Sequence, residues 1–203
     1  AKTVAMLGVL SALGAALRPL GAGTGGIEPI FFLIILAGRA FGPGFGFLLG
    51  STTLLTSAFL TAGVGPWLPY QMMAAAWVGL GAGLLPPARG RRELAMLAGY
   101  GAVSSVLFGL LMNLSFWPFT LGADTALSFV AGGTLAENLH RFLLFSLATS
   151  LGWDLGRALT TVVCIVLLGP LVMRALERAA RRGAFDEEPV FETAAAPAQS
   201  TDT

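Results

Sequence analysis

Residues 151–176 read LGWDLGRALTTVVCIVLLGPLVMRAL, and between Arg157 and Arg174 no charged side chain interrupts them. A stretch of about 20 predominantly apolar residues is what an α-helix needs to cross a bilayer. Five more stretches of this kind precede it, at 3–17, 27–40, 44–62, 69–85 and 93–114. The second is short for a crossing and is expected to be tilted, extended or partly buried. Composition agrees with this reading. The 203 residues are 55% hydrophobic and 11% charged, and mean hydropathy is +0.78. A soluble domain carries roughly 25% charged residues, so too little charge is present to coat a water-facing surface. The expected fold is therefore all-α: a polytopic membrane protein with six transmembrane helices and a long outer loop between helices five and six. A soluble enzyme is excluded.

Charges orient the expected spans. Lys2, Arg39, Arg89, Arg91, Arg92, Arg174, Arg178, Arg181 and Arg182 fall on one side, and Arg18 and Arg141 on the other. By the positive-inside rule this bias puts both termini in the cytoplasm. The membrane domain covers 1–182, and 183–203 reads as a disordered cytoplasmic tail, acidic at first and then rich in Ala, Pro, Ser and Thr. The chain opens on Ala1 in mid-hydrophobicity, which leads to the expectation of a short piece upstream.

The inventory excludes several chemistries. Lys2 is the only lysine, so no Gly-Lys-Ser/Thr step exists to cradle a nucleotide's phosphates. With one cysteine (Cys164) and one histidine (His140), structural zinc and iron–sulfur sites lack ligand sets. No metal and no intrinsic cofactor is expected. The net charge of +1 gives no reason to expect a nucleic-acid partner.

The outer side holds the candidate site. Loop one (18–26) is rich in glycine, loop three (63–68) runs into Pro69-Tyr70-Gln71, and loop five (115–150) is long and apolar. Within loop five, 135–150 has the pattern of a helix lying at the interface or folded over the bundle. Asp154 and Arg157 stand three apart on one helical face. Charges at membrane depth mark either a functional site or an ion pair that fixes helix register. Arg18 and Glu28 flank loop one on the same side and either join that cluster or face water. Gln71 and Asn113 put amides inside or at the ends of spans, where an unpaired amide is costly. With Trp67, Tyr70, Trp117 and His140 nearby, these residues describe a pocket for an uncharged or mildly polar organic ligand. Gly8, Ala12 and Ala16 repeat every four residues along span one. Such a stripe serves close packing within the bundle or docking onto a partner helix, and both remain open.

Six spans, the small-residue stripe on span one, the turn Phe41-Gly42-Pro43-Gly44-Phe45-Gly46 and long outer loops one, three and five resemble the substrate-binding S components of energy-coupling factor (ECF) vitamin transporters. The runs Gly65-Pro66-Trp67-Leu68-Pro69-Tyr70-Gln71-Met72 and Ser150-Leu151-Gly152-Trp153-Asp154 resemble the subgroup associated with cobalamin uptake. The resemblance implies a multi-pass protein of a prokaryotic cell membrane that captures a vitamin from outside. It implies association with a transmembrane coupling protein and two cytoplasmic ATPase subunits, with Gly8, Ala12 and Ala16 as the docking surface. Cobalamin is the favoured ligand, and a flavin or queuosine-like base is the alternative. Asp154 and Arg157 would orient polar ligand edges, while Trp67, Tyr70 and Trp117 would supply apolar contact. The rivals of other classes are weaker. An intramembrane aspartyl protease would need Asp124 and Asp154 in a different context, and no Gly-x-Ser-x-Gly nucleophile turn exists. A secondary transporter would show inverted repeats, and a purely structural subunit would leave the outer loops unexplained.

Overall fold

A helix that is apolar on every side is one that becomes buried, and residues 30–38 (IFFLIILAG) have no polar face at all. In the computed structural model, which describes residues 2–21, 24–120 and 125–183, this run lies at the centre of the molecule. Helix α1 (Lys2–Leu17) continues into a 3-10 turn, Arg18–Gly21. It is followed by α2 (Ile30–Phe41), α3 (Pro43–Leu60), α4 (Leu68–Leu84), α5 (Gly90–Thr120), α6 (Leu135–Thr149) and α7 (Leu151–Gly183). No strand occurs among the described residues. Every residue of α2 from Ile30 to Gly38 is buried, enclosed by α1, α3, α4, α5 and α7.

Small residues set the closest helix contacts. Gly46 on α3 faces Gly79 on α4, and a Cβ at either position would stand 2.3 or 2.1 Å from the other's carbonyl oxygen. Only paired glycines allow the two backbones to approach this way. Between α2 and α3, Gly42 takes φ of +94° and Pro43 occupies the first helical turn. That is the tight turn expected at 41–46.

Four helices are long and apolar enough to cross a membrane: Lys2–Gly21, Pro43–Leu60, Gly90–Phe119 and Leu151–Arg182. Six had been expected. The stretch at 27–40 forms a helix of only 12 residues, or ~18 Å, because Pro29 delays its start and Gly42 ends it. Helix α4 has 17 residues. Many large apolar side chains are exposed, among them Val9, Phe59, Trp77, Leu107, Leu159 and Leu167. An exposed apolar surface of this extent is compatible with contact with a bilayer.

The expected loop at 115–150 requires correction, because much of it is helical. Helix α5 continues to Thr120 despite Pro118. Tertiary packing holds the extra turn: Trp117 is buried, its indole N–H donates to the Leu127 carbonyl at 2.7 Å, and its ring meets Phe129 and Phe142 edge-on. Helix α6 occupies 135–149 as its pattern predicts. It starts where Thr134 accepts from the Glu137 backbone N–H, an N-cap with an acidic third residue. It packs on α5 through Phe116 and Phe145. The tail from 184 onward and Asp124 lie outside the described residues.

Candidate ligand-binding site

Loop one is seated directly on the first turns of α7. Gly26 has φ of +81°, and a Cβ there would stand 2.1 Å from the Trp153 carbonyl oxygen. A Cβ on Gly156 would stand 1.9 Å from the Gly25 carbonyl oxygen. This glycine-on-glycine contact brings Glu28, at the end of the loop, onto Arg157 across 129 residues of sequence.

Arg157 is the hub of the site. Its Nε donates to Glu28 Oε2, and its Nη1 donates to Asp154 Oδ1 at 2.8 Å and to the Ser105 carbonyl at 3.1 Å. The guanidinium also lies 5.0 Å from the Phe108 ring centroid and 5.8 Å from that of Phe31, and the two rings meet edge-to-face. Cation–π contacts of desolvated arginines are worth up to about 2 kcal/mol. Room for Asp154 is made by Gly109 on α5, whose Cβ would stand 1.8 Å from Asp154 Oδ1. Both side chains are nearly sealed, with 10% exposure for Arg157 and 5% for Asp154.

Arg18 stands across the same hollow. Its Nη1 donates to Ser57 Oγ and its Nη2 to Gln71 Oε1, both at 3.3 Å. Among the described residues it has no carboxylate within ion-pair distance. Between the two arginines opens a cavity of about 310 Å³, lined by Arg18, Gly21, Gly26, Ile27, Glu28, Thr61, Trp153 and Arg157. It offers guanidinium donors, one carboxylate, one hydroxyl and an indole face, a set suited to holding a small polar organic molecule by its edges.

The depth of this cluster follows from helix arithmetic. Ser105 is the midpoint of α5, ~22 Å from either end at 1.5 Å per residue. At the far end of α2, Arg39 donates through Nε to Glu93 at 2.8 Å and through Nη1 to the Leu85 carbonyl at 2.9 Å. From Ile30, where α2 begins, to Arg39 the helix rises ~14 Å, whereas a hydrocarbon core is ~30 Å thick. From the sequence, Asp154 and Arg157 were expected near the outer end of the last span. They lie in the first two turns of α7, whereas on α5 the same cluster lies halfway down the helix.

No known protein family matches the chain, and neither does any curated protein or solved structure.

Of the residues singled out from the sequence, Arg18, Glu28 and Arg157 line this cavity, and Gln71 and Asp154 stand behind it as partners of the two arginines. The others do neither. Asn113 is engaged at both ends of its amide, donating to Ser146 Oγ at 3.2 Å and accepting from Ser150 Oγ at 2.9 Å, which clasps the α5, α6 and α7 junction. Trp117 belongs to the aromatic cluster under α6. Trp67 and Tyr70 are about half exposed and do not line the cavity, and His140 is exposed. The Gly8, Ala12 and Ala16 stripe faces outward, whereas Leu10, Ser11, Gly14 and Ala15 face the bundle. Internal packing is therefore not what the stripe does.

Ser57, Thr61, Ser105, Trp153, Phe31 and Phe108 also belong to the site, although the sequence does not single them out. Two of these carried a signal: Thr53, Ser57 and Thr61 form a hydroxyl column at four-residue spacing on an apolar helix. The rings of Phe31 and Phe108 carried none, being indistinguishable from core residues. Among the described residues no group of three or more His, Cys, Asp or Glu side chains converges to hold a metal ion.

Proposed function

We propose that this chain is the membrane-embedded substrate-binding subunit of an ECF-type vitamin importer. It takes up a vitamin in the Arg18–Arg157 cavity and delivers it through a coupling protein and two ATPase subunits. The observation that carries the reading is the cavity itself: a hollow walled by two arginines and one carboxylate within an apolar helical bundle, with one arginine held only by neutral partners. A structural subunit has no use for such an arrangement, since ionisable groups at membrane depth are expensive and mark function by default. The outward-facing Gly8, Ala12 and Ala16 stripe supports the partner half of the reading, because small residues let another helix approach closely. The proposal includes α2 and α4 as short crossings, giving six in all. It also includes cytoplasmic termini, so that the cavity opens outside the cell.

Cobalamin is the ligand that the sequence resemblance favours. The cavity volume favours a second reading, because 310 Å³ is at the lower end of small-molecule sites. A corrinoid overfills it, whereas a thiamine- or biotin-sized vitamin matches it. A thermal-shift screen of the detergent-purified protein against cobalamin, flavins, thiamine, biotin and queuosine precursors separates the two. The expected result is a rise in Tm with one of them, lost in Arg18→Gln at unchanged apo stability. A rise that survives Arg18→Gln would place the ligand elsewhere.

A further inference from the structure

The Arg39 end of the bundle carries a second hollow, which the proposed function does not use. It has a volume of about 410 Å³ and lies between α5 and α7, with α2 beneath. Leu36, Leu94, Leu97 and Met173 make its depth apolar, and Gly169 and Pro170 keep the α7 wall low. Its mouth is charged, with Arg91, Arg174, Glu93 and Glu177. Glu93 is already taken by Arg39, which leaves Glu177 as the one glutamate at the mouth against Arg91 and Arg174. Arg174 spends only its Nε, on the Pro170 carbonyl at 2.8 Å. Arg91 is exposed, and neither a hydrogen bond nor an ion pair engages it among the described residues. Among the described residues the surrounding end of the bundle is strongly basic: Arg39, Arg89, Arg91, Arg92, Arg174, Arg178, Arg181 and Arg182 stand against Glu93 and Glu177.

An occupant must therefore present an apolar segment at depth and a negative group at the mouth, one to two helical turns further out. Basic hollows between membrane helices hold anionic lipid headgroups for this reason. We propose that this hollow is a binding site for one anionic phospholipid, its acyl chain lying on Leu94, Leu97 and Met173 and its phosphate between Arg91 and Arg174. A soluble acidic peptide would satisfy the arginines but could not supply acyl chains, which the bilayer places against this floor already. The inference needs only the membrane embedding of α5 and α7 and does not depend on what the Arg18 cavity binds.

The test is native mass spectrometry of the full chain in detergent, titrated with phosphatidylglycerol or phosphatidylcholine of identical acyl chains. One phosphatidylglycerol should be retained at tenfold or lower lipid concentration than phosphatidylcholine. At about fivefold per arginine, Arg91→Gln should weaken that retention ~5-fold and Arg91→Gln with Arg174→Gln ~30-fold, with a smaller loss for phosphatidylcholine, whose choline offsets the same phosphate. Leu97→Trp, which fills the floor, should reduce both lipids. Arg91 is exposed and unengaged, so its variant keeps the test readable if Leu97→Trp fails to fold. Equal retention of the two lipids, or phosphatidylglycerol retention unchanged in the double variant, would overturn the proposal. Displacement of the lipid by glycerol 3-phosphate at comparable concentration would overturn the acyl-chain part of it.

Discussion

Arg157 is held by two carboxylates, a backbone carbonyl and two aromatic faces, so its removal and that of Asp154 should not cost the same. Asp154→Asn keeps the shape over Gly109 and removes one charge. Removing one partner of a buried pair costs about 3–5 kcal/mol. Here Arg157 retains Glu28, the Ser105 carbonyl and the rings, so ~2–3 kcal/mol is expected. Arg157→Met leaves Asp154 and Glu28 without their shared cation. Asp154 is sealed, while Glu28, at 25% exposure, can turn toward water, which gives ~4 kcal/mol, within the same range. The double variant removes the charge of Asp154 together with the cation that needed it. It should cost less than the sum by ~1.5–3 kcal/mol, the coupling expected of residues in direct contact. At roughly 2–4 °C per kcal/mol for a chain of this size, the single variants lose ~5–15 °C. Thermal unfolding in detergent, followed by tryptophan fluorescence, gives all four corners of the cycle. Additivity within ~0.5 kcal/mol would refute the pairing geometry.

Gly156→Val should unseat loop one from α7, because its Cβ would collide with the Gly25 carbonyl oxygen. A loss of ~1–3 kcal/mol should accompany loss of ligand binding, and unchanged stability would mean that the loop is not seated there. Ala12→Trp places a bulky group on the exposed stripe of α1. It should abolish uptake in cells that carry the coupling protein and ATPases, with ligand binding to the isolated chain intact. Loss of both would assign the stripe to folding.

The fold was legible wherever a local pattern carried it. The apolar stretch at 27–40, the turn at 41–46 and the helical pattern of 135–150 each point to local structure that forms. The extension of α5 through Pro118 was not legible, since it depends on Trp117 finding Phe129 and Phe142 beyond the turn. The site divides in the same way. Asp154 and Arg157 are three apart, so their pairing follows from helix geometry alone. The Glu28–Arg157 contact is 129 residues long and follows only from the glycine seat of loop one on α7. Asn113 was costly to bury, as reasoned, but the partners that satisfy it are the hydroxyls of Ser146 and Ser150 rather than a ligand.

A vitamin seated between Arg18 and Arg157 would leave with the protein on purification or bind it on addition. Native mass spectrometry of the protein purified from its own membrane, alone and with added cobalamin, tests this most directly. A 1:1 adduct of one vitamin, carried over from the cell or formed on addition and lost in Arg18→Gln, is the result expected. An apo protein that takes up neither cobalamin nor any vitamin of the screen would contradict this seating and leave the cluster as a structural staple.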